Sequence, residues 1–252
     1  MYPCIIVVHG PAGSGKTTFT GNFERWANRK LDVRFASVNF DPAVLRLPYK
    51  PVFDIRDYVT AKEMMEKYNL GPNGGIMKAV EESMRYLDEL FRVIEAIEVD
   101  YVLLDTPGIM EVFVGRDTGR LIIDKLINRY TVIGFHIMDS SAVTKVSEYI
   151  YFKSLFILSG LKLGIQSIPI WNKMDISSRV FNEIYKLTPG ELRERLEGEP
   201  GLYTEAAIGL SELSIKLEGA VRETFVDSIS CKGFDEVYSV LHELFCTCGD
   251  LT

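Results

Sequence analysis

An apolar run, Cys4–His9, leads directly into Gly10-Pro11-Ala12-Gly13-Ser14-Gly15-Lys16-Thr17, and a helix-like stretch, Thr17–Lys30, follows. Few sequence features restrict a fold as strongly. A continuous apolar strand is buried on both faces, which places it inside a parallel sheet. The pattern G-x-x-x-x-G-K-[ST] between a strand and a helix is a phosphate cradle. Its glycines let the backbone curl so that successive N–H groups converge, and the helix N-terminus adds its dipole. Gly10, Ala12, Gly13, Ser14, Gly15, Lys16, Thr17 and Thr18 are therefore the first nucleotide-binding candidates. Lys16 is expected to reach the β- and γ-phosphates, and Thr17 to ligate Mg²⁺.

The same grammar continues along the chain. Val33–Val38, Asp100–Asp105, Thr131–Met138, Gly164–Trp171 and Thr224–Ile229 read as further strands. Helices are expected at Ala61–Asn69, from Ile76 to Ile97, and at Arg116–Asn128, Ala142–Leu158, Ser178–Leu187, Glu191–Leu196, Ser211–Arg222 and Phe234–Phe245. Asn39–Pro51, with Pro42, Pro48 and Pro51, is a loop. Strands alternating with helices imply right-handed crossovers and a three-layer α/β fold: a mostly parallel sheet, helices on both faces. With no linker or repeat visible, residues 1–252 are expected to form a single P-loop domain. The strand-free stretch 177–223 reads as a helical insertion within it.

Charge and cysteine content narrow the functional classes. Lys+Arg 28 against Asp+Glu 35 gives a net charge of −7, which argues against direct nucleic-acid binding. No apolar run reaches the roughly 18 residues of a membrane span. Met1–Val8 has no basic leader or small-residue cleavage site, so no export signal is expected. The Cys 4 count, with no CxxC pair, gives no disulfide or zinc framework, and a reducing cytoplasm is the expected compartment.

Two further motifs end strands. Asp105-Thr106-Pro107-Gly108 closes the third strand; its aspartate can hold a Mg²⁺-bound water, and the Gly108 N–H can bond a γ-phosphate. Asn172-Lys173-Met174-Asp175 closes the fifth. A carboxylate at Asp175 can accept from both N1–H and the 2-amino group of guanine, donors that adenine lacks. Asn172 is expected at the major-groove edge of the base, Lys173 along its face. Cys231, in a polar turn after the last strand, is a candidate N–H donor to guanine O6.

The order of these motifs resembles the GPN-loop GTPases, a branch of the P-loop GTPases. The resemblance rests on Gly10–Thr18, Asp41-Pro42-Ala43, Gly71-Pro72-Asn73 followed by Gly74-Gly75, Asp105–Gly108 and Asn172–Asp175, and spans nearly the whole chain. From composition alone, Gly71–Gly75 is a turn between two helices. The resemblance implies instead a loop that reaches, in trans, the phosphate end of the other subunit's nucleotide in a cytoplasmic homodimer, with Asn73 a catalytic candidate. It implies GTP hydrolysis with Mg²⁺, and a nucleotide-driven switch or assembly factor for a client protein; eukaryotic relatives are implicated in RNA polymerase assembly. Where the family usually has glutamine after Asp-Thr-Pro-Gly, this chain has Ile109. Asp41 and Glu111 match family acidic positions and are the expected water-orienting pair, Asp41 also a second candidate for the metal. Hydrolysis is expected to be slower than the family norm or to depend on a partner.

Three other functions compete. A metal-delivery chaperone GTPase needs a Cys/His site, for which Cys246 and Cys248 are the hint. A P-loop small-molecule kinase leaves Asn172–Asp175 without a task. A partitioning-type ATPase generally carries an extra lysine early in the cradle, where this chain has Pro11 and Ala12.

Overall fold

The computed structural model describes residues 2–199, 201–218 and 222–249. Its strands are β1 (Cys4–His9), β2 (Phe35–Asn39), β3 (Phe53–Asp54), β4 (Tyr101–Asp105), β5 (Val132–Asp139), β6 (Ser167–Asn172) and β7 (Thr224–Phe225). They form one seven-stranded sheet in the order β3-β2-β4-β1-β5-β6-β7. Every pairing is parallel, with His9 of β1 opposite His136 of β5 and Val8 opposite Asp105 of β4.

The two-residue period of β1 builds two cores at once. Ile5 and Val7 pack with Leu90, Phe91, Ile94, Ile122 and Ile123, from α4 (Leu87–Ala96) and α6 (Asp117–Ile127). Cys4, Ile6 and Val8 face the other way, onto Phe19 and Phe23 of α1 (Lys16–Lys30) and Phe234 and Val237 of α11 (Phe234–Gly249). That is the expected three-layer α/β arrangement, and it holds β1, with the loop after it, at the centre of the sheet.

Between β6 and β7 lie α8 (Arg179–Ile184), α9 (Pro189–Glu197) and α10 (Thr204–Glu218). With α7 (Val146–Leu163) they cover Trp171 and Phe181 in a third apolar cluster. Thr188 and Glu191 form a capping box at the start of α9, with Pro189 in the first helical turn. An apolar groove of about 760 Å³, lined by Tyr151, Leu155, Leu158 and Leu210, runs beside α7 and α10.

Several boundaries differ from expectation for local reasons. β3 was not foreseen, being two residues long. β2 and β6 start later than their patterns, and α7 runs past Gly160 to an αL cap at Gly164, φ 66°. α10 begins before Gly209, where an added Cβ would meet nothing within 4 Å. The expected turn Gly71–Gly75 is mostly helix. α2 (Ala61–Tyr68) ends at Asn69 in the left-handed region, φ 51°, and α3 (Pro72–Ser83) starts with Pro72 in its first turn. Gly75 lies within α3 because a side chain there would run into Met65 of α2. The single helix expected from Ile76 to Ile97 breaks at a 3₁₀ turn, Met84–Tyr86.

Candidate functional site

β1, β2, β4 and β6 deliver their carboxyl ends to one edge of the sheet, where ligands of open parallel sheets bind. The loop after β1 takes positive φ at Gly10 (137°), Gly13 (78°) and Gly15 (93°). Two of these have no substitute: a Cβ on Gly10 would run into the Ile137 carbonyl, and one on Gly15 would lie 2.5 Å from Asn172 Nδ2. Gly13, Gly15, Lys16, Thr17, Thr18, Asp41, Thr106 and Gly108 line one small cavity of about 210 Å³. Three segments far apart in sequence, the β1 loop, the β2 loop and the turn after β4, thus meet around one cavity.

Lys16 is 5% exposed, and its Nζ donates to the Gly10 and Pro11 carbonyls at 2.9 Å. Burial lowers its pKa to about 8, against the opposing pull of Asp105 and Asp41. Asp41 is raised by burial, with the N–H groups of Ala43, Gly108 and Val44 and the Lys16 charge acting the other way. Burial pushes the Asp105 carboxyl up to about 6, partly relieved by the Thr17 hydroxyl, the Tyr49 phenol and the Lys16 ammonium. Asp105 Oδ2 accepts from Tyr49 Oη at 2.9 Å, while Oδ1 is buried with no aligned hydrogen-bond partner. A buried orphan carboxylate oxygen beside a threonine hydroxyl and the cradle is a fitting donor set for a hard divalent cation such as Mg²⁺. Thr106 ties this turn to β1 through Oγ1 and the Val8 carbonyl, 2.8 Å apart.

Asn172 is 2% exposed and its amide is already engaged. Nδ2 donates to the Ser14 carbonyl at 2.9 Å, and Oδ1 accepts from Ser228 N and Oγ at 3.2 and 2.7 Å. Asn172 therefore braces the cradle against the loop after β7, with one of its two Nδ2 hydrogens still unassigned. Lys173 sits in the left-handed region, φ 63°, with Nζ 2.5 Å from Asp139 Oδ2. Asp175 is exposed on a 3₁₀ turn, Met174–Ile176. Cys231 has φ 63° in the turn closed by Asp227 N and the Lys232 carbonyl.

The remaining candidates spread out. Gly71, Pro72 and Asn73 are exposed, and none lines the cradle of its own chain. Ile109 precedes α5 (Met110–Phe113) and is not among the cradle-lining residues either. Glu111 falls in α5, but its side chain lies outside the described residues, as do those of Cys246 and Cys248. Among the described residues no cluster of His, Cys, Asp or Glu could hold a metal ion as a group of three. Nor is any helix long and apolar enough to cross a membrane. Sequence reasoning missed Tyr49, Asp139 and Ser228; for Tyr49 a signal existed in Gly21, a glycine inside α1.

Residues 8–247 match the family model described as conserved hypothetical ATP binding protein. GPN-loop GTPase PAB0955 of Pyrococcus abyssi is 33% identical over 98% of this chain and 100% of its own length. The chain belongs to the GPN-loop GTPase family. GPN-loop GTPase 1 of Schizosaccharomyces pombe is also 33% identical, over 91% of this chain, which spans 64% of that longer protein. The crystal structure of the Pyrococcus GPN-loop GTPase, in apo form, superposes with a TM-score of 0.84 at 32% identity, covering 97% of this chain and 98% of the other.

Proposed function

We propose that this GPN-loop GTPase is a dimeric, cytoplasmic switch that binds GTP, hydrolyses it to GDP and phosphate, and uses the cycle to drive assembly of a client protein, RNA polymerase-related by family analogy. The observation that carries the reading is the meeting of Lys16, Thr17, Asp41, Thr106 and Gly108 around one cavity at the strand ends. In this reading the β1 loop N–H groups, Lys16 and Thr18 hold the phosphates, and the Gly108 N–H senses the γ-phosphate. Thr17 and, through water, Asp105 would hold Mg²⁺, with Asp41 beside them. Bound there, Mg²⁺ would neutralise charge shared between the β- and γ-phosphates. Asp41, held by the Ala43 N–H at 2.9 Å, and Glu111 would orient the attacking water that Ile109 cannot bind. Lys173, Asp175 and the Cys231 turn would embrace guanine. The description of the family model speaks of ATP, but the Asp175 carboxylate suits the donors of guanine.

Asn73 is proposed to act on the other subunit's nucleotide, since it is exposed and stands apart from its own cradle. An amide contact to water or γ-phosphate matters most in the transition state. Asn73→Ala is therefore expected to lower turnover by about 10- to 100-fold with GTP affinity nearly unchanged. The test mixes Asn73→Ala subunits with Lys16→Ala subunits after confirming subunit exchange. A mixed dimer places the intact Asn73 of one against the intact cradle of the other, so activity should rise above that of either variant alone. Simple dilution, with no rescue, would contradict the trans role.

A further inference from the structure

Tyr49 belongs to none of the motifs, yet the chain is built to seat it. Tyr49 comes from the loop after β2, the loop that also carries Asp41. Its hydroxyl donates to Asp105 Oδ2 at 2.9 Å, and burial beside Asp105 raises its pKa, so it remains a donor. The seat is cut by Gly21: an added Cβ would lie 2.9 Å from both Cβ and Cδ1 of Tyr49. Gly21 is buried within α1, where glycine weakens a helix relative to alanine. It stands one helical turn after Thr17, on the same face. Thr17, the Tyr49 seat and Asp105 thus form one unit.

We infer that Tyr49 is a positioning residue for the metal end of the site: by holding Asp105 Oδ2 it fixes the carboxylate plane, so that Oδ1 faces the cation's water. This rests on the proposed role of Asp105. A carboxylate has two equivalent oxygens and one soft torsion, and the Tyr49 donor on Oδ2, together with the nearby Thr17 hydroxyl, sets the direction of Oδ1. Oδ1 is the buried oxygen that lacks an aligned partner, so its direction is what the cation site depends on. Partners of this outer kind typically change metal affinity by about 10–100-fold when removed. The same hydrogen bond fastens the Asp41-bearing loop to β4, so the two carboxylates of the site share one anchor.

The test follows release of a fluorescent GDP from the full chain, in EDTA and across a Mg²⁺ titration. Wild type should release more slowly as Mg²⁺ rises. Tyr49→Phe should need about tenfold more Mg²⁺ for the same slowing, with release in EDTA within about twofold of wild type. Gly21→Ala keeps the phenol but crowds its ring, and should shift the Mg²⁺ requirement the same way; it decides alone if Tyr49→Phe does not fold. An unchanged Mg²⁺ midpoint in a folded variant overturns the inference. So does an equal change in EDTA, which would make Tyr49 merely structural. A wild type indifferent to Mg²⁺ would instead remove the metal role of Asp105, and the inference with it.

Discussion

Lys16→Ala is expected to weaken GTP binding by roughly 10²–10⁴-fold, as the loss of two charge-assisted hydrogen bonds of about 1.5–3 kcal/mol each implies. The fold should survive. The ammonium's partners in the protein, the Gly10 and Pro11 carbonyls, lie in a loop at the edge of the sheet, and a buried cation costs desolvation that alanine does not. Titration with a fluorescent GTP analogue and a thermal melt separate the two effects. The pH dependence gives a second signature. Lys16 sits at about 8 in the free protein, and phosphate raises it on binding. Binding above pH 8 therefore takes up a proton, and wild-type affinity should fall with rising pH, by at most about tenfold per unit. Lys16→Ala should show no such fall. A variant that binds GTP like wild type would remove the phosphate-cradle account.

Asp175→Asn is expected to reverse the base preference, with GDP weakened by about 100-fold and xanthosine diphosphate becoming the better ligand. The carboxylate can accept two hydrogen bonds from guanine, each about 1.5–3 kcal/mol to a charged group. Because Asp175 is exposed, water replaces part of what is lost, which places the net near the lower figure. An asparagine amide can accept from N1–H and donate to the carbonyl that xanthine carries at its 2-position. Competition of GDP and xanthosine diphosphate against the same fluorescent ligand, on both proteins, reads the exchange. Unchanged ratios would place the base elsewhere.

What was legible in the sequence was local and redundant. β1, the cradle and α1 announce themselves together, because an apolar run, glycines at positions of positive φ and a lysine–threonine pair all require the same strand–loop–helix. The turns at Asp105–Gly108 and Asn172–Asp175 follow from strands that end there. Isolated glycines misled: Gly160 and Gly209 resemble helix stops, but each sits in a helix whose packing outweighs about 1 kcal/mol of propensity. Gly71–Gly75 misled in the opposite direction, since Pro72 suits a first turn and Gly75 answers to Met65 on the neighbouring helix. The contacts that tune the site were not legible. Tyr49 meets Asp105 across 56 positions, and Asn172 meets Ser14 across 158 and Ser228 across 56. No spacing rule links such pairs; they exist only once the sheet has brought its strand ends together.

The cradle and the Asp175 turn are together expected to select a guanine nucleotide. The direct measurement is displacement of bound fluorescent GDP by unlabelled GDP and by ADP, at one Mg²⁺ concentration. ADP is expected to be at least about 100-fold weaker, since adenine gives the Asp175 carboxylate no donor. Equal displacement by ADP would contradict it.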